Sequence, residues 1–301
     1  MKYKGELARY WEYDNAGNPT RFVSNYGDVA QSGFGGVIVE NRMLGEMYLR
    51  QPYRGNGSYS EGKPDINAGP VDGMIRTESD MAWVKAMIAD GYKFNGVTKV
   101  AKDQLWYGDL IYADANGDGN YGDTNDMNFT GTSTQPRYNF GLNLSVAYKG
   151  FDFYMLWAGS AGFDLYWNHS SYNGTRTENG FGISQRVADN HYFYNPENPS
   201  DSRTNITAKY PRITDQTQRD NGTSSVFWKY KGDYVKLKNI QIGYTIPVKW
   251  TRKFMVEKLR FYFSGENLLT ITSYPGLDPE MGTSITYPLT RQFAFGAQLS
   301  F

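Results

Sequence analysis

The run Asp114-Ala-Asn116-Gly-Asp118-Gly119-Asn120 is the clearest candidate for ion chemistry in this chain. Asp114, Asn116 and Asp118 place side-chain oxygens at alternate positions, as the first half of a calcium loop does. Gly119 permits the sharp turn, and Asn120 offers a carbonyl two places after Asp118. Asn125 stands where the closing carboxylate is expected, and Asp126 follows one place later. An extra residue around Asn120-Tyr121-Gly122 would bring Asp126 into that role. The alternative is a turn in which the Asp and Asn side chains satisfy the backbone. Calcium is the one cofactor suggested. A second group is aromatic: Trp167 in Tyr166-Trp-Asn-His169, and His191, Tyr192 and Tyr194 in His191-Tyr-Phe-Tyr194. Such rings could stack on sugars as a substrate-binding surface, or pack the loops on each other. Glu266 and Asp278 are the residue types a glycosidase pairs. One falls on the polar face of a strand and the other in a loop, so nothing fixes their separation, and the chain does not read as an enzyme.

Cysteine is absent, and His169 and His191 are the only histidines. Disulfides, Cys-ligated zinc and thiol catalysis are excluded, and histidine chemistry has little material. Acidic and basic residues balance at 31 each, which gives no hint of a nucleic-acid partner.

The elements that carry these groups read as strands. Tyr138, Phe140, Leu142, Leu144, Val146 and Tyr148 occupy every second position, with small or polar residues between them. After Lys149-Gly150 the alternation resumes through Phe151, Phe153, Met155 and Trp157. If Lys149-Gly150 is a two-residue hairpin turn, Tyr148 faces Phe151, Val146 faces Phe153, Leu144 faces Met155 and Leu142 faces Trp157. All of them then lie on one face, and a slip by one residue would scatter them. At the end of the chain, Phe293, Phe295, Ala297, Leu299 and Phe301 share a face opposite Gln292, Ala294, Gly296, Gln298 and Ser300. Further strands are expected at 257–269, through Leu259, Phe261 and Phe263, and at 233–246. In the latter, Val235 and Leu237 are out of phase with Ile240, Ile242 and Tyr244, so a bulge is expected near Lys238-Asn239. A strand-like run lies at 36–49, and weaker ones at 6–13 and 19–26 flank the turn 14–18.

Aromatic residues make 16% of the chain although its mean hydropathy is −0.62. That combination suits a transmembrane barrel with aromatic girdles and a wet interior; a Tyr-rich soluble β protein is the alternative. No run of about 18 apolar residues offers a transmembrane helix, and Met1-Lys2-Tyr3-Lys4 leads into no signal-peptide core. The connections alternate in length. Lys149-Gly150 and 247–256 are short, whereas 50–136, 164–232 and 270–289 are long, as the two rims of a barrel require. One helix is expected in the first long connection, capped by Thr77-Glu-Ser-Asp80, with Met81, Val84 and Ile88 on one face and Gly91 at its end.

Three stretches resemble the SusC/RagA family of TonB-dependent outer-membrane transporters. They are Gly108-Asp-Leu-Ile-Tyr-Ala-Asp-Ala-Asn-Gly-Asp-Gly119 with the strand after Pro136; Tyr210-Pro-Arg-Ile213 with Asp233-Tyr-Val-Lys-Leu-Lys-Asn-Ile-Gln-Ile-Gly-Tyr-Thr-Ile-Pro247; and Ser264-Gly-Glu-Asn-Leu-Leu-Thr270 with Tyr274-Pro-Gly-Leu-Asp-Pro-Glu280 and the last strand. They occur in the family's order and cover most of 100–301. A strand ending on a terminal Phe resembles the assembly strand of such barrels. The resemblance implies an all-β, antiparallel transmembrane barrel of about 22 strands. This chain would supply a C-terminal fragment of roughly eight, at 6–13, 19–26, 36–49, 137–149, 151–163, 233–246, 257–269 and 290–301, with the plug domain absent. It further implies import of oligosaccharides or peptides across the outer membrane of a Gram-negative bacterium of the Bacteroidetes. The implied partners are a SusD-like surface lipoprotein and the TonB-ExbB-ExbD system, the latter engaged through a missing N-terminal part, so the fragment alone would not transport. With the last strand running inward, every long connection falls outside and both short turns face the periplasm. The rival readings are a self-standing eight-stranded barrel acting as an adhesin, and a soluble carbohydrate-binding β-sandwich with a buried Leu142/Phe153/Phe261 core.

Overall fold

The computed structural model describes residues 9–24, 27–28, 42–43, 45–167, 182–214, 221–282, 287 and 289–301. The chain divides into two bodies: Met1–Ser133 with Tyr166–Lys229, and Thr134–Leu165 with Tyr230–Phe301.

In the first body, β1 (Arg9–Tyr13) and β2 (Pro19–Ser24) pair antiparallel across the turn at Asp14. The Asp14 carboxylate closes that turn by accepting the amides of Ala16 and Asn18, each at 2.9 Å. Gly27–Asp28 adds a short third strand. Of the expected strand 36–49, residues 36–41 and 44 lie outside the described residues; the described part is β3 (Glu46–Arg50), whose residues are buried or half-buried. Helix α1 (Glu78–Ala89) begins where the sequence places it. Thr77 accepts the Asp80 amide, and the Asp80 carboxylate accepts the Thr77 amide, forming a capping box. Strand β4 (Met127–Ser133) pairs antiparallel with β3.

The stretch 50–136 is therefore not the long loop that its composition suggests. Trp83 and Val84 of α1 pack with Phe94, Leu110, Ile111 and Tyr121 in a buried core. Trp83 stacks on Tyr53 at 4.8 Å and donates its indole N–H to the Asp65 carbonyl at 2.8 Å. Most of these apolar residues come singly from turns, so no periodicity announces them.

The second body is one antiparallel sheet of five strands, in spatial order β9-β8-β7-β6-β5. These are β5 (Tyr138–Tyr148), β6 (Phe151–Ala161), β7 (Tyr234–Thr245), β8 (Lys258–Thr272) and β9 (Gln292–Ser300). The β5–β6 register is the expected one, from Tyr148 opposite Phe151 to Leu142 opposite Trp157. Lys149 and Gly150 have φ of 47° and 87°, as the favoured two-residue hairpin turn requires. Gly150 is needed there for space too, since a Cβ would stand 2.8 Å from the Thr245 carbonyl oxygen. The expected bulge is present: Lys238 has no partner between the pairs made by Leu237 and Asn239, on both the β6 and β8 sides. The bulge restores the phase, so apolar rows run across all five strands. One is Val146, Phe153, Ile242, Phe263 and Phe295.

That face is open. Leu142 is 58% and Phe295 83% exposed, Leu144 and Phe293 are exposed, and Phe153 and Met155 are half-buried. The buried Leu142/Phe153/Phe261 core of a sandwich is not formed. Five of the eight expected strands make this sheet, while 9–13, 19–24 and 46–50 pair elsewhere among the described residues.

Candidate functional site

The opposite face of the sheet is polar and carries an ion pair that spans three strands. Arg260 on β8 donates from Nε to Asp152 on β6 at 2.9 Å, and also to its other oxygen. The intervening residue on β7 is Gly243, where a Cβ would lie 2.5 Å from the guanidinium and 2.6 Å from the carboxylate. Only glycine lets the two charges meet across the middle strand. Farther along, Lys236 is a buried cation on the same face, opposite Ala158 and Thr270. Its ammonium lies 2.6 Å from both oxygens of Asp278 and 2.9 Å from Glu280. Lys238, the bulged residue, reaches Glu280 as well. Asp278 also accepts the Glu280 amide at 2.8 Å, capping a short turn over Pro279–Met281. The connection after β8 is thereby pinned to the polar face. Asp278 therefore answers Lys236 and does not pair with Glu266.

In the first body, the loop 114–126 is closed by Asp126, as the sequence suggests, but onto backbone amides. Asp126 is buried, and its carboxylate accepts the amides of Ala115 (2.6 Å), Asn116 (3.3 Å), Gly122 (2.6 Å) and Asp123 (3.2 Å). Burial pushes its carboxyl above the usual range, against the pull of those amides. Asp114 accepts from Gly117, Asp118 and Gly119, Asn116 from Asp118, and Asp118 from Asn120. Asn120 accepts the Gly96 amide and donates to Asp123. Among the described residues no group of three or more His, Cys, Asp and Glu is arranged to hold a metal ion.

The aromatic candidates separate. Trp167 is buried, with its ring centroid 5.8 Å from that of Tyr210 and 6.1 Å from that of Trp228. Tyr192 is buried and donates to the Arg76 carbonyl at 2.7 Å, and burial pushes its phenol up. Both rings pack within the first body. His191 is half-buried, with Nδ1 2.6 Å from the Ala188 carbonyl. It lines a cavity of about 340 Å³ with Asp189, Phe193, Arg203 and Asn205. Tyr194 is half-buried and donates to Glu78 at 2.9 Å. His169 lies outside the described residues.

A further pair falls in two of the stretches that carry the resemblance, although no spacing joins its members. Asp109 is buried; Arg212 donates to it from Nε at 2.6 Å and from a terminal nitrogen at 2.9 Å, and Asn221 donates at 2.9 Å. These bonds tie the Gly108-Asp109-Leu110 and Tyr210-Pro211-Arg212 stretches together across about a hundred residues.

No family model matches the sequence. TonB-dependent receptor P3 of Formosa agariphila is 31% identical over 235 residues, covering 70% of this chain and 22% of the receptor. TonB-dependent receptor P39 of the same organism is 27% identical, covering 97% of this chain and 30% of that receptor. The chain belongs to the TonB-dependent receptors. It spans between about a fifth and a third of the length of these relatives. A solved structure, described as the RagAB peptide transporter, is 20% identical with a TM-score of 0.50, covering 67% of this chain and 22% of that one. The likeness is one of fold. TonB-dependent receptors are not enzymes.

Proposed function

We propose that this TonB-dependent receptor is an importer of the outer membrane, and that the chain supplies wall and outward connections to its barrel. The observation that carries the reading is the sheet. One face is a continuous, uncovered apolar surface, the other is polar, and β5 and β9 have open edges among the described residues. In water such a surface and such edges would drive aggregation. In a bilayer the face contacts lipid and the edges continue into neighbouring strands. The cargo is an oligosaccharide or a peptide, a SusD-like surface lipoprotein receives it, and TonB-ExbB-ExbD supplies the energy. The short turns face the periplasm, and the His191 cleft and Tyr194 belong to the outward side, where cargo arrives. Uptake of fluorescent oligosaccharides and peptides by intact cells tests this. Deleting the gene, or disabling TonB, should abolish uptake of one cargo class, and the tagged protein should bring a surface lipoprotein with it from outer membranes. Uptake of both classes unchanged in the deletion strain would refute the proposal.

A further inference from the structure

The connection 246–257, between β7 and β8, has a surface that folding leaves unexplained. It makes one helical turn over Val248–Thr251 and a 3₁₀ turn over Arg252–Phe254. Trp250 is 58%, Phe254 75% and Met255 85% exposed. Met255 adopts φ of 58°, the left-handed conformation that glycine takes at no cost at the end of a helix. A methionine held there against that preference, with its side chain projecting outward, points to a use for the side chain. Three basic residues, Lys249, Arg252 and Lys253, stand against the single Glu257 in this stretch, and Lys258 follows it. Lys249, Arg252 and Lys253 are exposed and make no ion pair among the described residues. The neighbouring turn repeats the composition: Lys149 Nζ sits 5.1 Å from the ring centre of Tyr148, as Lys249 Nζ sits 6.0 Å from that of Trp250. Both turns adjoin the apolar row Tyr148, Phe151, Tyr244 and Phe261 of the sheet.

Apolar and aromatic side chains beside uncompensated cations, at the end of a lipid-facing surface, match the interface of a membrane carrying anionic lipid. We propose that the 246–257 turn binds anionic phospholipid headgroups. Trp250, Phe254 and Met255 seat in the acyl boundary, and Lys249, Arg252 and Lys253 lie against phosphates. The proposal rests on the barrel-wall reading, which with the short turns facing the periplasm assigns the lipid to the inner leaflet.

The test uses the protein as the cell makes it, isolated from outer membranes and placed in nanodiscs of equal phosphatidylcholine and phosphatidylglycerol. Native mass spectrometry counts the lipids retained. Each cation beside an anionic surface raises retention about fivefold. The variant carrying Lys249→Gln, Arg252→Gln and Lys253→Gln should therefore lose its preference for phosphatidylglycerol by more than roughly tenfold. A nitroxide on Phe254→Cys should report lipid contact, and a nitroxide on Phe295→Cys serves as the reference for the wall. Unchanged phosphatidylglycerol retention in the triple variant, or a water-exposed label at position 254 beside a lipid-exposed one at 295, overturns this proposal alone. A water-exposed label at 295 overturns the barrel-wall reading and this proposal with it.

Discussion

Replacing Lys236 with Met should release the connection that follows β8, while the same change at Lys238 should not. The Lys236 side chain is 2% exposed and bonds both Asp278, 13% exposed, and Glu280. Removing one partner of a buried pair costs about 3–5 kcal/mol, because a desolvated charge is left uncompensated. Asp278 keeps the Glu280 amide, so the lower end applies. A cost of about 3 kcal/mol raises the open population of the connection roughly 150-fold. Lys238 bonds Glu280 alone, and both side chains are a quarter to a third exposed, so its loss should cost under about 1 kcal/mol, or less than roughly fivefold. Hydrogen exchange of residues 274–282 in the purified receptor reads both values. Acidity gives a second handle. Burial alone would raise the Glu280 carboxyl, but the hydrogen bonds from Lys238 and Lys236 outweigh it and hold the group below its ordinary value of 4.5. Its contribution is thus present above pH 4.5 and is lost as pH falls through the lower value of the folded state. Equal exchange in the two lysine variants, or no change in Lys236→Met, would refute the reasoning.

Arg212→Leu should destabilise the first body by about 3–5 kcal/mol by stranding the Asp109 carboxylate, and Arg212→Lys should restore only part, since an ammonium cannot reproduce the two parallel bonds. Thermal unfolding that moves by less than the effect of a surface substitution would argue against this. Asp126→Ala should loosen the 114–126 loop by more than Asp118→Ala, as it strands amides of Ala115 and Gly122, each worth about 1–3 kcal/mol if left unpaired; proteolysis rates within the loop decide. Calcium at this loop is a proposal with its own assay. Calorimetry should show a calcium heat that Asp118→Ala removes, and no heat in the unaltered protein assigns the loop a purely structural role. Because the chain has no cysteine, Tyr287→Cys should label with an impermeant reagent in intact cells and Lys149→Cys should not; the reverse pattern inverts the proposed topology.

What was legible in the sequence is what alternation and turn chemistry determine locally. The β5–β6 register followed from pairing Leu142, Leu144, Val146 and Tyr148 with their mirror positions across Lys149-Gly150. The bulge at Lys238 followed from a change of phase, and α1 from Thr77 and Asp80. The body around Trp83 was not legible, because Phe94, Leu110 and Tyr121 enter its core from turns and two-residue strands, where no period exists to detect. Asp109 and Arg212 lie in two of the stretches that carry the family resemblance, but no spacing joins them, and only the folded chain shows that one neutralises the other. The oxygens of Asp114 and Asp126 were identified by spacing, but spacing cannot distinguish an ion from a ring of backbone amides as the partner. Trp167 and Tyr192 illustrate the same limit: an aromatic beside Asn or His reads alike whether it faces a ligand or the protein's own side chains and backbone.

The central claim is that the sheet is a barrel wall with lipid on one face and water on the other. A nitroxide scan along Tyr138–Tyr148, in the receptor reconstituted into a bilayer, tests it most directly. The account predicts a period of two, with Phe140, Leu142, Leu144 and Val146 accessible to oxygen in the lipid, and Asn139, Asn143 and Ser145 accessible to a water-soluble nickel chelate. Labels at Leu142 and Leu144 shielded from both reagents, as the core of a soluble two-sheet sandwich would shield them, would contradict it.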